Sequence, residues 1–545
     1  MSTRCLPGAR RVVSARFARD SAGARVVGHR ANALNAVAPS TAKDTFLGHP
    51  KGLYVLALTE MWERFSFYGM KALLVFFLIG RFGYSDAQSF ATYGTYTALV
   101  YLSPILGGLV ADRYLGFTKS VTLGAVLMTL GHLGLALDDF LFGGAATTAS
   151  PGQLPVFHLS LACLIVGVGL LKPNISAMVG ELYPKEGYLR DSGFTVFVWG
   201  INFGATISAL LCGYLGQTYG WGYGFGLAGV GILLGLAIFL YGQKHLRGVG
   251  APPVTARLEA RVWAGLTRET LIYGGAVLCV LLVWPLARMV DALGYVVGAT
   301  FFVVAVGVVF HGFRRLERVE RQQLFAAVML MTIWVGFVAF VEQTGSSISL
   351  FTERVIDRRA GALEIRSAQL QALLPFLVIA LSPVFAWLWG FLERRHLNPS
   401  TPAKFAWSLI LLGVGYGTLT LGALWPGEDG RLHIGWLVSL YFFFAVGDLL
   451  IVPVGLSAVT KLAVRSLVGL MMGLWMLSVA IGNFFAASIA KISAVDPSQS
   501  RQLPPLELLA HYRGFFGWLT LASVLLGILA LLCTPWIRRS MHGVR

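Results

Sequence analysis

The chain has 545 residues, of which 56% are hydrophobic and 13% are charged, and its formal net charge is +17. Because soluble domains carry about 25% charged residues, this composition excludes a water-soluble globule of this size. The basic residues lie between apolar segments rather than around aromatic patches, which is typical of membrane proteins and argues against nucleic acid as a partner.

Apolar segments long enough to cross a bilayer recur along the whole chain. They predict an all-α membrane protein with about fourteen transmembrane helices, an even number that places both termini on one side. The approximate bounds of these helices are 52–80, 90–111, 118–137, 157–180, 193–216, 223–243, 270–287, 293–312, 323–350, 369–392, 403–425, 434–458, 466–492 and 514–537.

The basic loops orient this bundle. With the N-terminus inside, the inner segments hold most of the 43 Lys and Arg residues. The conspicuous exception is an outer loop that contains Arg354, Arg358, Arg359 and Arg366. The sequence therefore predicts a multi-pass protein of the cytoplasmic (inner) membrane, with both termini in the cytoplasm and with membrane lipids as partners.

Two polar stretches divide the chain. Residues 1–50 are Arg-rich and nearly free of acid, which indicates a disordered basic cytoplasmic tail; a transit peptide is the alternative. Residues 244–269 indicate a cytoplasmic linker. The predicted helices then fall into a six-helix bundle at 51–243, two extra helices at 270–312 and a second six-helix bundle at 313–540. Two six-helix halves around a site at mid-membrane depth are the architecture of major-facilitator transporters.

The first predicted helix carries ionisable residues at membrane depth. Five polar side chains follow helical spacing along one stripe, namely Glu60, Glu63, Arg64, Tyr68 and Lys71. Such a stripe faces a bundle interior or a water-filled cavity, because a charge that faces lipid is costly. Arg64 can neutralise one carboxylate, and the other then has a reason to hold a proton, since like charges cannot both ionise cheaply in a poorly solvated site. A buried ion pair that only holds helices together is the alternative.

Three further ionisable residues lie within apolar helices. We expect Lys172, next to Pro173 in the fourth helix, to pair with the first-helix glutamates in one state and with a substrate carboxylate in another; snorkelling to the inner surface is the alternative. Glu342, alone in the ninth helix, suits proton loading, because desolvation favours its neutral form; an ion pair with another helix stays open. Asp448, in the twelfth helix, suits binding of an ammonium group, or a structural hydrogen bond to backbone freed by Pro453.

The remaining motifs indicate a gate but no enzymatic chemistry. Asp112 and Arg113, in a short inner loop, suit a latch between helices. The five cysteines have no metal-ligand spacing and are expected to be unpaired. The sequence lacks nucleophile elbows, phosphate loops and metalloprotease motifs. We therefore expect no enzyme, no cofactor and no metal site, with a proton gradient as the energy source.

Six segments carry a resemblance to a known family. They are Glu60-x-x-Glu63-Arg64-Phe65, Tyr101-Leu102-Ser103-Pro104 through Asp112-Arg113, Lys172-Pro173-Asn174-Ile175-Ser176, Phe194 to Gly204 with Ile201-Asn202, Pro453-Val454-Gly455-Leu456-Ser457, and Gly473-Leu474-Trp475 to Asn483. In this order they resemble the signatures of the proton-dependent oligopeptide transporter family, a branch of the major facilitator superfamily. The likeness covers roughly residues 46–540.

The resemblance implies roles for individual residues. In the family, coupling of protons to peptide depends on a set of residues that match Glu60, Glu63, Arg64 and Lys172. The two cations of this set lie near the peptide carboxylate, and Glu342 falls at a proton-linked glutamate. The peptide cavity is lined by residues that match Tyr68, Tyr101, Asn202 and Trp475. Asp448 falls where the family meets the amino end of the peptide.

Three departures from the family pattern affect these expectations. Asp448 replaces the usual glutamate and is one methylene shorter, so it reaches less far. Phe67 stands where a tyrosine is usual, which removes one hydroxyl. Animal members carry a histidine near Gly94, and no titratable residue replaces it in this chain. The first two departures bear on substrate range and affinity, and the third predicts that protons load on carboxylates alone.

From these observations we expect a proton-coupled symporter that imports di- and tripeptides by alternating access, with peptides and protons as partners. The sequence leaves its oligomeric state open. Transport of another small solute, such as an amino acid, nitrate or a peptide-like drug, is the near alternative. A non-transporting receptor is more distant, and a channel would need rings of like charge instead of single charges of both signs.

Overall fold

The computed structural model describes residues 45–142, 153–183, 188–246, 248–263, 265–286, 289–361, 363–463, 468–496 and 503–544. The tail predicted at 1–50 lies outside these residues except for 45–50, which form a short antiparallel hairpin. Gly52–Arg545 forms one compact unit, which holds every residue of the predicted site, and the hairpin belongs to the unit before it.

The described residues are mostly helical. The α-helices, numbered in chain order, are α1 (Lys51–Phe82), α2 (Asp86–Val110), α3 (Gly116–Phe142), α4 (Gln153–Glu181), α5 (Tyr188–Thr218), α6 (Trp221–Gly242), α7 (Thr255–Glu259), α8 (Arg268–Leu286), α9 (Val290–Arg315), α10 (Arg318–Val341), α11 (Ser347–Val355), α12 (Ser367–Leu370), α13 (Leu373–Arg394), α14 (Thr401–Gly422), α15 (Ile434–Leu462), α16 (Val468–Ala490) and α17 (Pro505–Ser540).

Short strands lie before α1 and within some of the connections between helices. They are β1 (Thr45–Phe46), β2 (His49–Pro50), β3 (Arg261–Trp263), β4 (Leu266–Thr267), β5 (Ile356–Asp357), β6 (Arg359–Ala360), β7 (Leu363–Glu364) and β8 (Leu432–His433). The pairs β1–β2, β3–β4 and β6–β7 are antiparallel. β5 pairs in parallel with β8, with Ile356 opposite Leu432. The stretch predicted as a linker at 244–269 thus contains α7 and both strands of the β3–β4 hairpin.

Twelve helical segments are long and apolar enough to cross a membrane, counted over the described residues. One of them, Asp86–Leu141, has 56 residues. Because about 20 residues cross a bilayer, this segment is long enough to cross twice, as predicted. The chain turns within it at a π-helical stretch, Ala111–Leu115, which is followed by Gly116 at a φ of 72°. The described apolar stretch of α9 is shorter, at Gly298–Gly307. Counting the long segment twice and adding α9, the described helices account for the fourteen predicted spans.

The ninth predicted span, 323–350, is interrupted. α10 ends at Val341, a 3₁₀ turn occupies Glu342–Gly345, and α11 begins at Ser347. Ser346, at the junction, has a φ of −127° and a ψ of −97°, which is outside the helical region. Glu342 therefore does not lie inside a continuous helix, as the apolar pattern suggested, but at the C-cap of α10.

Glycines let the helices that carry the site approach closely. Gly107 of α2 lies against the backbone of Gly169 in α4, and Gly94 of α2 lies against Ala487 in α16. At both positions a Cβ atom would overlap the neighbouring helix. No hydrophobic driving force acts between helices within a bilayer. Small residues let two backbones approach closely, and the resulting van der Waals contacts hold the helices together.

The two extra helices lie at the edge of the bundle. α8 packs against α4, and α9 packs against α10 and α16. Of the described side chains in α8, Ala276 and Val280 are buried, and most described side chains of α9 are exposed. Because both helices present apolar side chains outward, they suit contact with lipid and leave the interior to the other helices.

Candidate functional site

The stripe on α1 holds two carboxylates and one guanidinium out of contact with solvent. Glu60, Glu63 and Arg64 are 1%, 0% and 5% exposed. Arg64 donates from Nε and Nη2 to Glu60 Oε1 at 2.8 and 2.6 Å, and its Nε lies 3.1 Å from Glu63 Oε2. Among the described residues, neither oxygen of Glu63 accepts a hydrogen bond. One cation thus serves two buried anions, which leaves uncompensated negative charge unless one carboxylate takes a proton.

About two helical turns beyond Arg64, α1 is tied to the break after α10. Lys71 Nζ donates to Glu342 Oε2 at 2.7 Å, and the two side chains are 7% and 15% exposed. The ammonium also lies 5.6 Å from the ring centroid of Tyr68 and 6.0 Å from that of Tyr93. The ion pair with another helix, which the sequence left open for Glu342, is therefore present, and Glu342 is not solitary.

Lys172 of α4 points to an aromatic surface instead of a carboxylate. Its Nζ lies 4.0 Å from the ring centroid of Tyr101 and 5.9 Å from that of Phe67. The side chain is half-buried and forms no ion pair within the described part of the chain. The expected pair between Lys172 and the first-helix glutamates is thus not formed in this conformation. A cation held over tyrosine is stabilised by the ring quadrupole and keeps its donors free for an anion.

Asp448 of α15 provides a carboxylate without a hydrogen-bond or ion-pair partner among the described residues. It is half-buried and lies close enough to Glu342 and Tyr68 to interact with them electrostatically. The alternative role, a structural hydrogen bond beside Pro453, is not found among the described contacts. Asp448 therefore faces the same region as the Lys71–Glu342 pair, with its own charge uncompensated.

The other predicted residues lie on separate elements. Asn202 of α5 is half-buried and donates from Nδ2 to the carbonyl oxygen of Val198 at 3.1 Å. Trp475 of α16 stacks on Trp334 of α10, with ring centroids 5.0 Å apart. Neither has a described contact with the charged side chains.

The predicted latch lies in the turn between α2 and α3. Asp112 and Arg113 are exposed in the π-helical stretch Ala111–Leu115. Neither forms an ion pair with a described residue. Their role as a latch therefore stays a prediction.

Comparison with known proteins decides the family. A family model described as the POT family matches residues 118–506. The chain belongs to the POT family. It is 34% identical over 515 residues to the uncharacterized transporter YclF of Bacillus subtilis (strain 168), across 93% of this chain and 98% of that protein. It is 33% identical over 522 residues to a di-/tripeptide transporter of Lactococcus lactis subsp. lactis (strain IL1403), across 92% and 98% of the two chains.

Solved structures agree with this assignment. The crystal structure of a mutant of the peptide transporter POT, in complex with alafosfalin, is similar to this chain with a TM-score of 0.75 and 32% identity. The likeness covers 92% of this chain and 97% of that one. This POT family member is therefore a membrane transporter with a major-facilitator type of fold, and it is not an enzyme.

In this POT family member, polar contacts join the two parts of the chain at the end of the bundle where α1 ends and α2 begins. We call this the closed end. Arg354 of α11 donates from Nη1 and Nη2 to both carboxylate oxygens of Asp86 at 2.6 and 2.7 Å. Gln371 donates from Nε2 to the carbonyl oxygen of Ala72 at 3.2 Å. Arg366 donates from Nε to Thr218 Oγ1 at 3.2 Å. These bonds join helices from the first half of the chain to helices from the second half.

Sequence reasoning missed the Asp86–Arg354 pair. Arg354 stood out only as one member of an outer loop that violated the charge rule, and Asp86 resembled an ordinary acidic residue in the first turn of a helix. The positions are separated by 268 residues along the chain. The basic cluster in the predicted outer loop could have indicated this pair, because basic residues are rare on the outer side and a carboxylate partner would explain their presence there.

Proposed function

We propose that this protein is a proton-coupled symporter that imports di- and tripeptides across the cytoplasmic membrane by alternating access. One observation carries the proposal: Lys172 and Asp448 are half-buried charges of opposite sign, and neither has an ion-pair partner among the described residues. A zwitterionic peptide needs a positive pole, a negative pole and apolar surface between them. Tyr101, beneath Lys172, and Tyr68, near Asp448, supply aromatic surface next to each pole.

The relatives support peptides as the cargo. The Lactococcus relative is named a di-/tripeptide transporter. A relative from Yersinia enterocolitica, 32% identical over 525 residues, is named a peptide transporter. The similar crystal structure contains alafosfalin. In our proposal Lys172 and Arg64 attract the peptide carboxylate, Asp448 receives its ammonium group, and Asn202 and Trp475 line the path.

The charge balance supports coupling to a proton. The site contains four carboxyl groups and three cations, namely Glu60, Glu63, Glu342 and Asp448 against Arg64, Lys71 and Lys172. A single proton makes this set neutral, and a neutral site is far less costly to bury than a charged one. A zwitterionic peptide adds no net charge, so it enters the protonated site without upsetting this balance.

The Lys71–Glu342 pair is where we propose that the proton acts. A proton on Glu342 removes the anion that holds Lys71, and this loosens the connection between α1 and the end of α10. Only such a differential interaction between two conformations can shift their populations. The membrane potential adds a driving force of about 2.3 kcal/mol per charge per 100 mV.

The orientation of the cycle follows from the loop charges. We place both termini in the cytoplasm, and we assign the two moving halves to 51–243 and 313–540, joined by the linker at 244–269 and the extra helices at 270–312. In this orientation the end closed by Asp86 and Arg354 faces outward. The described conformation is then the one from which a peptide leaves to the inside.

Uptake by proteoliposomes tests the proposal. We expect a labelled dipeptide to accumulate when the interior is alkaline, an uncoupler to abolish accumulation, and unlabelled di- and tripeptides to compete. Liposomes without protein provide the background. A rate of uptake that does not depend on the pH gradient would refute proton coupling. Competition by an amino acid or nitrate but not by peptides would show that the transported solute is not a peptide.

A further inference from the structure

A polar cavity lies at the end of the bundle where α13, α15 and α17 end and α14 begins. Its volume is about 560 Å³, and it shares no lining residue with the site on α1, α4 and α15 described above. Its polar and charged lining side chains include Glu393, His396, Ser400, Lys404, Lys461 and Arg538. The cavity therefore needs an explanation of its own.

Lys404 is a buried cation in this cavity. It is 8% exposed, and its Nζ lies 4.0 Å from the ring centroid of Trp389. Its ammonium group has neither an ion pair nor a hydrogen bond with any of the residues that the structure describes. A buried ammonium group without an acceptor is costly, and contact with one aromatic face replaces only part of its hydration. An anion in the cavity would remove this cost.

The N-terminus of α14 borders the same space. Ser400 occupies the N-cap position, but its side chain does not cap the helix. Ser400 and Thr401 both line the cavity. The first N–H groups of a helix lack intrahelical acceptors and carry partial positive charge, which makes a helix N-terminus suited to phosphate. α14 has 22 residues, so this dipole is fully developed.

The remaining charges give the cavity a positive balance. Lys461 and Arg538 lie exposed at its rim. Glu393, the carboxylate among its described lining residues, is exposed and accepts a hydrogen bond from Asn398 Nδ2 at 2.7 Å. Basic pockets between helices at a cytoplasmic surface bind anionic lipid head groups. The volume lies within the usual range for a small ligand.

We propose that this cavity binds a phosphate group, carried by the head group of an anionic phospholipid or by free inorganic phosphate. Lys404, the backbone N–H of Thr401 and the hydroxyl of Ser400 contact its oxygens, because Pro402 has no N–H to contribute, and Arg538 closes the rim. The site is independent of the transported solute, so it stands or falls separately from the proposed function.

Thermal unfolding of the purified full-length protein tests this site in two arms. In detergent, inorganic phosphate is titrated at constant ionic strength. In nanodiscs, phosphatidylglycerol is compared with phosphatidylcholine. We expect the wild type to be stabilised in at least one arm, and Lys404→Gln to weaken the apparent affinity about fivefold, the value expected for one basic residue near an anionic surface.

Two further variants make the result decisive. Arg538→Gln removes an exposed rim charge, so it reports on the site even if Lys404→Gln does not fold. Lys244→Gln is the matched control, because it removes an exposed charge near the same end of the bundle but does not line the cavity. A response in the phosphate arm identifies free phosphate, and a response in the lipid arm alone identifies the head group. If the variants and the wild type respond equally in both arms, the proposal is wrong.

Discussion

Lys71 and Glu342 meet at a separation of 271 residues along the chain, and their contact decides how the proposed proton can act. Asp448 is a second carboxylate near this contact, because it lies within electrostatic range of Glu342 and has no partner among the described residues. Removal of one negative charge here therefore relieves a repulsion and breaks an attraction together.

Glu342→Gln tests this step. The amide cannot be protonated, so we expect proton-driven accumulation of a dipeptide to fall at least about tenfold, whereas exchange of labelled for unlabelled peptide across the membrane persists. Glu428→Gln, which neutralises an exposed loop carboxylate, is the control. If accumulation by the Glu342→Gln variant still depends on the pH gradient, Glu342 is not the coupling residue, and the proton is assigned to Glu60 or Glu63 instead.

Asp448→Asn tests the negative pole. A charge-assisted hydrogen bond is worth about 1.5–3 kcal/mol, so we expect the KM for a dipeptide to rise about tenfold or more. The KM for an N-acetylated dipeptide, which has no ammonium group, should be unaffected by the substitution and serves as the internal control. An equal rise for both peptides would mean that Asp448 stabilises the fold and does not bind the amino end.

Among the elements, the break between α10 and α11 was the feature least accessible to sequence reasoning. The apolar pattern predicted one span at 323–350, and apart from the start of the last helix the bounds of the other helices followed from the same pattern within five residues. Gly345 and Ser346 weaken a helix locally, but this signal is common and does not locate a break. The break matters because it places Glu342 at a helix end, where it meets Lys71.

The stripe on α1 was predictable and its partners were not. Helical spacing alone assigned Glu60, Arg64 and Lys71 to one face, because the period of a helix is fixed. The partners of Glu342 and Asp86 come from helices more than 260 residues away in sequence, and no local pattern records which helices pack together. The last helix, predicted from 514, begins at Pro505, since Glu507, His511 and Arg513 obscure its apolar character.

The Asp86–Arg354 pair gives a test at the level of two helices. The side chains are 3% and 15% exposed, so we expect Arg354→Gln to lower the free energy of unfolding by about 2 kcal/mol, somewhat less than for a fully buried pair. A double-mutant cycle with Asp86→Asn isolates the interaction.

The matched control for this cycle is Arg359→Gln. Arg359 pairs with Asp357 and Asp429 but is 62% exposed, so its loss should have almost no effect on unfolding. Equal effects of Arg354→Gln and Arg359→Gln on thermal unfolding would contradict the assignment of the Asp86–Arg354 pair as a closing contact.

For the whole molecule, the closing contacts gather at one end. The bonds of Arg354, Arg366 and Gln371 join the two halves there, and Lys71–Glu342 joins them deeper in the bundle. Each hydrogen bond contributes only about 1 kcal/mol net, so a modest change in charge can shift the balance between this conformation and one that opens at this end.

A disulfide across the closed end tests the proposed alternating access. A Cβ placed on Gly213 of α5 lies 3.0 Å from Cβ of Ala368 in α12. A disulfide needs about 3.5–4.5 Å between these atoms, so the bridge forms after the two helices move slightly apart. We expect oxidised Gly213→Cys/Ala368→Cys protein to lose peptide uptake and to regain it on reduction. Each single variant, oxidised alone, controls for bridging to the native Cys212. Full uptake by the cross-linked protein would show that transport does not require this end to open.

The contact between Gly94 and Ala487 has a consequence for the evolution of this transporter. The methyl group of Ala487 fills the volume that any side chain at position 94 would occupy, and the carbonyl oxygen of Asn483 lies beside it. A histidine side chain at position 94 would therefore clash with Ala487 and force α2 and α16 apart. The proposed use of acidic side chains alone for proton transfer thus agrees with the spacing of these helices, and a histidine at position 94 would first require α2 and α16 to move apart.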